Sequence, residues 1–154
     1  MAIRFFEEAE RMERPLNRPL QYANRLAQLA RENSVLDAAK ALQLIKETLL
    51  YDEKIESQAM KEDRIATHHH IMGDIYVTLD SLDNAANCYQ QALGFFEKNE
   101  KYFYVATTLL QLGQLQVKTK RYSEAIAMYQ RSEKIAEENN YYECPHIHPK
   151  CLSL

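Results

Sequence analysis

The sequence contains very little glycine: three residues in 154, about 2%, where globular proteins average about 7%. The tight turns of β-hairpins and the loops that cradle phosphates in dinucleotide-binding folds depend on glycine. A β-sandwich, a Rossmann fold and a phosphate-binding loop are therefore all disfavoured. The apolar content of 46% excludes a wholly disordered chain, so helices joined by short connections remain.

The sequence also lacks a strong charge of one sign and long apolar runs. The formal net charge is −3 and no basic stripe stands out, so we expect no nucleic-acid partner. The longest apolar runs, such as residues 105–112, fall well short of the ~18 residues that span a bilayer. Residues 1–8 do not form the apolar segment of a secretory signal, and we expect no membrane span.

Cysteines and catalytic motifs are scarce as well. The three cysteines, Cys88, Cys144 and Cys151, are an odd number and do not make a disulfide framework, which predicts a reducing, cytoplasmic location. The chain has no glycine-rich phosphate loop, no zinc-protease HExxH motif and no nucleophile elbow. We therefore expect a protein that is not an enzyme and that needs no cofactor.

Apolar residues recur at helical spacing along most of the chain, which predicts a series of amphipathic helices. The predicted helical segments cover residues 3–12, 20–31, 35–52, 65–79, 82–98, 102–118 and 122–139. Residues 53–63 are polar and their assignment stays open. Asp80 and Ser81 are suitable N-caps for the helix that begins at residue 82, and Thr119 or Ser123 for the helix that begins at residue 122.

Prolines divide the chain into three parts. Pro15 and Pro19 separate a short amphipathic helix in residues 1–14 from a helical domain in residues 19–140. A tail over residues 141–154 follows, and its two prolines exclude a long terminal helix.

The helical domain contains an internal repeat of forty residues, marked by Gly73 and Gly113. When the chain is aligned on these glycines, without a gap, residues of similar size coincide. The pairs are Met72 with Leu112, Ala85 with Ala125, Tyr89 with Tyr129, and Ala92 with Ser132. Small side chains let two antiparallel helices approach closely, so we expect each glycine to face the alanine of the following helix. The tyrosines are then expected to fill the space between one helical hairpin and the next.

These residues resemble the tetratricopeptide repeat. The resemblance is closest where Leu112-Gly113 is followed by Tyr-Ser-Glu-Ala-Ile at 122–126 and by Tyr129 and Ser132. The period of forty exceeds the family's usual ~34 and is similar to longer-helix variants. The resemblance implies an all-α, right-handed stack of antiparallel helical hairpins, a TPR-like α-solenoid. Its hairpins are clearest at 65–100 and 102–140, with an earlier degenerate one at 20–52.

In this family the first helices of successive hairpins line a groove that binds a partner's peptide. The implied groove positions are Thr67, His70, Asp74, Val77 and Thr78 in one repeat, and Thr107, Leu110, Gln114, Val117 and Lys118 in the next. The resemblance thus predicts a scaffold or adaptor for a peptide or helical segment of another protein. A clamp for a C-terminal carboxylate is disfavoured, because Asp74 occupies one of its positions and would repel the ligand.

Two alternatives stay open. The groove positions could simply be solvated and bind no ligand. Alternatively, the chain is an assembly subunit in which no peptide groove is used. It would then self-associate, for example as a homodimer, or dock permanently through its repeat faces and tail. Sedimentation tests the self-associating form, since a chain that is a monomer at every concentration would exclude a homodimer.

Two sets of side chains resemble metal ligands. His68, His69 and His70 point about 100° apart on a helix and cannot share an ion well. The tail set combines two cysteines and two histidines, and zinc accepts such ligands. Its members are Cys144, His146, His148 and Cys151. Their spacing does not match known zinc fingers and the neighbouring prolines restrict wrapping, so we expect no metal site.

Overall fold

A computed structural model describes residues 19–34 and 37–141 of the chain, and these residues form helices joined by short connections. The helices are α1 Pro19–Asn33, α2 Ala38–Asp52, α3 Gln58–Thr78, α4 Leu82–Lys98, α5 Tyr102–Lys118 and α6 Tyr122–Glu138. The described residues contain no β-strand, and the prediction of an all-α helical-repeat fold is confirmed. The predicted helix in residues 1–14 and the tail beyond Tyr141 lie outside the described residues.

The sequence places the later helices accurately and leaves the start of α3 open. The predicted bounds of α4 and α5 are confirmed to the residue. Helix α3 begins at Gln58, so the second half of the polar segment 53–63 is helical. Residues 58–60 are exposed, and Gln58 Nε2 donates to Glu62 Oε1 at 2.6 Å along the helix surface. Apolar periodicity cannot reveal helical turns that bury nothing.

The connections share one geometry that recurs every twenty residues. Asp80, Glu100, Lys120 and Asn140 all adopt positive φ, between 53° and 62°. After each of them, the next N–H donates back into the helix end, as Arg121 N–H does to the Gln116 carbonyl at 2.8 Å. This is the Schellman ending, which satisfies carbonyls that the helix leaves free. Helices of 17 residues with three-residue connections thus account for the forty-residue repeat.

This helix ending explains why most of the predicted N-caps are wrong. Asp80 is the left-handed residue that ends α3, and Thr119 is the C-cap of α5, where its hydroxyl donates to the Leu115 carbonyl at 3.1 Å. The N-cap of α6 is Arg121, whose side chain makes no capping hydrogen bond, whereas Ser123 lies inside the helix. The short connection fixes the N-cap one residue after the left-handed residue, whatever side chain stands there. Ser81 does precede α4, and its carbonyl accepts the Ala85 N–H at 3.0 Å.

The chain divides into two compact units, residues 1–88 and 89–154. In the first unit, α1, α2 and α3 pack around one apolar core. Its buried members are Leu26, Ala27, Leu29, Ala30, Ala41, Leu44, Ile45, Ile71, Met72, Ile75 and Cys88. Helices α1 and α2 form a hairpin, and α3 packs against α2. Among the described residues, no helix has the length and apolar character needed to cross a membrane.

In the second unit, α5 and α6 form a helical hairpin in which small residues meet. Ala106 and Ala136 are buried together, and the Ser132 hydroxyl donates to the Ala106 carbonyl at 2.7 Å. Tyr141, the first residue of the predicted tail, packs against this cluster, and its ring meets that of Phe103 edge-on at 5.8 Å.

The expected role of the repeat tyrosine needs correction at Tyr129. A Cβ added to Gly113 would lie only 2.7 Å from Tyr129 Cδ1, so the ring occupies the place that the glycine leaves open. The tyrosine therefore fills space inside its own hairpin, and it faces the glycine directly. The physical reason is that a ring placed one helical turn after Ala125 reaches across to α5, whereas the short Ala125 side chain, itself buried, does not extend as far.

Candidate partner-binding site

The candidate positions on α3 belong to the unit 1–88 and differ in exposure. Asp74 and Thr78 are exposed, whereas Thr67, His70 and Val77 are half-buried. The Thr67 hydroxyl donates to the Asp63 carbonyl at 2.9 Å, and the Thr78 hydroxyl donates to the Asp74 carbonyl at 3.2 Å. Both hydroxyl protons are thus used within the helix, so these threonines offer a ligand mainly acceptor oxygens.

His70 lies between charges of opposite sign. Burial lowers the pKa of His70 below its ordinary value, Asp74 raises it and Arg31 lowers it. The imidazole is therefore neutral near pH 7, and it can both donate and accept a hydrogen bond. Because Arg31 comes from α1, this surface includes side chains from two helices.

The contribution of α1 is the feature that sequence reasoning missed. Asn24 Oδ1 accepts a hydrogen bond from Arg64 Nη1 at 2.6 Å, and Arg31, two turns further along α1, influences His70. These contacts place α1 beside α3 within the same unit. Asn24, Gln28 and Arg31 are exposed at spacings of four and three residues, which puts them on one face of α1. The only available signal was this polar spacing, since the first hairpin has no glycine to mark the repeat.

A buried polar network holds α3 in place. Asp52, at the end of α2, is fully buried, and its Oδ1 accepts from Arg64 Nε at 2.7 Å. Its other oxygen, Oδ2, meets Nδ1 of the buried His68. Together with the Asn24 contact, the network joins α1, α2 and α3 by directional bonds. Such buried charges require their partners, because an isolated charge away from water is costly.

The three consecutive histidines have three different environments. His68 contacts Asp52, the Nδ1 atom of His69 contacts the Ile65 carbonyl at 2.8 Å, and His70 lies near Asp74. His68 is buried, and both others are half-buried. Within the described residues, no three His, Cys, Asp or Glu side chains are placed to hold a metal ion. The predicted tail set, Cys144 to Cys151, lies outside those residues.

The candidate positions on α5 belong to the unit 89–154. Gln114, Val117 and Lys118 are exposed, and the half-buried Thr107 hydroxyl contacts the Phe103 and Tyr104 carbonyls, both at 3.1 Å. Leu110 is only 8% exposed, so it contributes to the core and offers a partner little surface. The polar end of α5, from Gln114 to Lys118, carries most of the accessible candidate surface.

A family model for the tetratricopeptide repeat matches residues 63–138, just under half of the chain. The match runs from Asp63, within α3, to Glu138, the last residue of α6. Over these residues the chain matches the tetratricopeptide repeat family, and the resemblance inferred from the repeat is confirmed. No curated protein matches the chain.

Three solved structures share the fold. Aspartyl phosphate phosphatase F from Bacillus subtilis has a TM-score of 0.85 and 17% identity, over 92% of this chain and 37% of that one. BtubC (BKLC) from P. vanneervenii has a TM-score of 0.73 and 21% identity, over 94% and 57%. The apo form of RapI has a TM-score of 0.52 and 19% identity, over 92% and 58%.

This chain therefore spans between 37% and 58% of the length of those structures. At such identities the likeness concerns the fold alone, and the activity in the phosphatase's name belongs to that protein.

Proposed function

We propose that this chain is a non-catalytic adaptor or scaffold that binds a peptide or helical segment of another protein. The supporting observation is the exposure of Asp74 and Thr78 on α3 and of Gln114 and Lys118 on α5, at positions that line the groove in the family. The other sides of both helices are committed to packing. Ile71 and Ile75 are buried on α3, and Leu109, Leu112 and Leu115 are buried on α5.

Binding would be reversible burial of a short segment, with specificity from polar side chains. Asp74 favours a basic group beside α3, and Lys118 favours an acidic group beside α5. His70 and Gln114 can each donate and accept a hydrogen bond. The partner is a protein segment rather than a nucleic acid, since the net charge is −3.

The absence of catalysis is part of the proposal, and Cys88 supports it. Burial raises the pKa of the Cys88 thiol, opposed by the smaller effect of Lys46. A buried thiol with a raised pKa is a poor nucleophile. A free thiol also agrees with a reducing compartment such as the cytoplasm.

The test is a comparison of two double variants in crosslinking and pull-down from cell extract. Asp74→Lys with Gln114→Lys changes the proposed surface. Asp83→Lys with Gln90→Lys makes the same chemical changes at exposed positions of α4. We expect the first variant to lose the proteins captured by the native chain and the second to retain them. Equal capture by both would refute the proposal.

One observation favours the alternative of an assembly subunit. Tyr122 and Ile126 lie one turn apart on α6 and are 58% and 55% exposed, an unusual pair of large side chains for a free surface. If this face mediates self-association, Ile126→Lys converts an oligomer to a monomer in sedimentation velocity, whereas Asp74→Lys does not. A native chain that sediments as a monomer at all concentrations would remove this alternative.

A further inference from the structure

The unit 89–154 contains a cavity of about 460 Å³ that none of the groove positions line. It lies where the end of α4, the start of α5 and the end of α6 meet. The lining residues are Glu97, Tyr102, Val105, Arg131, Ile135, Glu138 and Asn139. Ligand pockets usually have volumes of roughly 300–1,000 Å³, so this cavity can hold a side chain or a small molecule.

The cavity has a mixed lining, in which three residues offer apolar surface. Val105 is buried, Ile135 is half-buried, and Tyr102 presents a ring that is 40% exposed. A ring that remains this accessible beside two aliphatic side chains can contact a flat apolar group on one face.

The polar rim of the cavity favours a positive charge. Arg131, the cation among the lining residues named above, is already paired, since its Nη2 lies 2.6 Å from Glu97 Oε1. Among residues 19–34 and 37–141, the contact of Glu138 is a long one, 3.8 Å to Lys134 Nζ, and both side chains are mostly exposed, so this pair is weak. One carboxylate is thus available to a ligand.

Two helix ends add to this negative potential. Helix α4 ends at Lys98, next to Glu97, and α6 ends at Glu138, so the C-termini of both helices reach the cavity. A helix C-terminus carries the negative end of the helix dipole and stabilises cations nearby. The Tyr102 ring can contribute a cation–π contact to the same charge.

We infer that this cavity is a second binding site, and that it takes an aromatic or branched apolar side chain next to a lysine or arginine of a partner protein. The apolar group occupies the space between Tyr102, Val105 and Ile135. The ammonium or guanidinium group lies at the rim, beside Glu138 and the helix ends. The site uses none of the α3 and α5 groove positions, so it stands independently of the proposed groove.

The test uses three probes that share a phenyl ring and differ in charge: phenethylammonium, 2-phenylethanol and 3-phenylpropionate. Each is titrated into the full-length, ¹⁵N-labelled chain and followed by amide NMR shifts. We expect saturable shifts at Tyr102, Ile135 and Asn139, with affinity falling from the cation to the alcohol to the anion. Shifts confined to other residues would overturn the site, and equal affinities for the three probes would overturn its preference for a cation.

A set of α6 variants separates charge from structure. Glu138→Gln should weaken phenethylammonium binding by about two- to five-fold, the size of a helix-terminal charge effect, and Glu138→Lys should weaken it further. Glu124→Gln, the same change at the other end of α6, should have no effect. Because Glu138 is exposed, we expect these variants to fold, which circular dichroism checks. Unchanged affinity in folded Glu138→Lys would overturn the assignment.

Discussion

The ring of Tyr129 lies against the α-carbon of Gly113, on the facing helix of the same hairpin. Any larger residue at position 113 would place its Cβ where the ring now lies. Gly94, in contrast, has nothing within 4 Å of the position of an added Cβ, and it lies in the exposed part of α4. Gly113 therefore makes room for a ring, whereas Gly94 makes room for nothing, and the two serve as test and control for the same substitution.

Gly113→Ala should destabilise the protein by about 1–2 kcal/mol, because displacing the ring costs more than the gain in helix propensity of about 1 kcal/mol. Gly94→Ala should stabilise it by up to about 1 kcal/mol, since only the propensity changes. Urea unfolding measures both. In a Tyr129→Ala background, Gly113→Ala should no longer destabilise; a loss that persists there would show that the ring is not the cause.

Lys120 illustrates the cost of the left-handed helix endings, because its φ is 62° and its side chain has a β-carbon. Lys120→Gly should stabilise the protein by about 0.5–1 kcal/mol, as glycine adopts this conformation without a steric penalty. Lys118→Gly, which removes the same charge from within α5, should destabilise it by about 0.5–1 kcal/mol. Thermal unfolding of the two variants checks the prediction, and equal shifts in Tm would contradict it.

Asp52 should be essential to the stability of the first unit. Asp52→Ala leaves the half-buried Arg64 and the buried His68 without their carboxylate, and a loss of about 3–5 kcal/mol is expected. Glu53→Ala, at the next residue, removes an exposed carboxylate and should change stability by less than about 0.5 kcal/mol. Chemical denaturation measures both. A similar small effect at the two positions would show that the buried network contributes little.

His70 should make stability fall with acid. Burial lowers the pKa of His70 in the folded chain, so the unfolded chain binds a proton more readily. Stability is therefore fully present above the unfolded pKa of about 6.5 and declines as the pH falls through the lower, folded pKa.

In His70→Asn, the change in unfolding free energy between pH 7.5 and pH 5.5 should be smaller than in the native chain. Denaturant unfolding at several pH values in this range measures it. A matched His69→Asn variant tests whether the effect belongs to His70, because the two residues are neighbours on α3. An identical pH dependence in the native chain and in His70→Asn would contradict the assignment.

The helices and the repeat could be predicted from sequence because their signals are local or periodic. Residues 82–98 and 102–118 alternate apolar and polar faces at helical spacing, and the glycine pair with its alanines and tyrosines defines the period of forty. The exposed first turn of α3 carried no such signal. Most of the predicted N-caps were wrong because the left-handed helix ending fixes the N-cap position and requires no particular side chain there.

The sequence by itself determined the class of fold and the repeat period. Tertiary structure alone decided that α1 joins α3 through Asn24 and Arg64, forty positions apart. It also decided that Tyr129 faces Gly113, and that Glu97 and Arg131 meet beside a cavity. The physical reason is that periodicity reports how each helix divides apolar from polar surface. Contacts between distant residues depend instead on how packed helices are shifted and rotated relative to one another, which the periodicity of one helix does not specify.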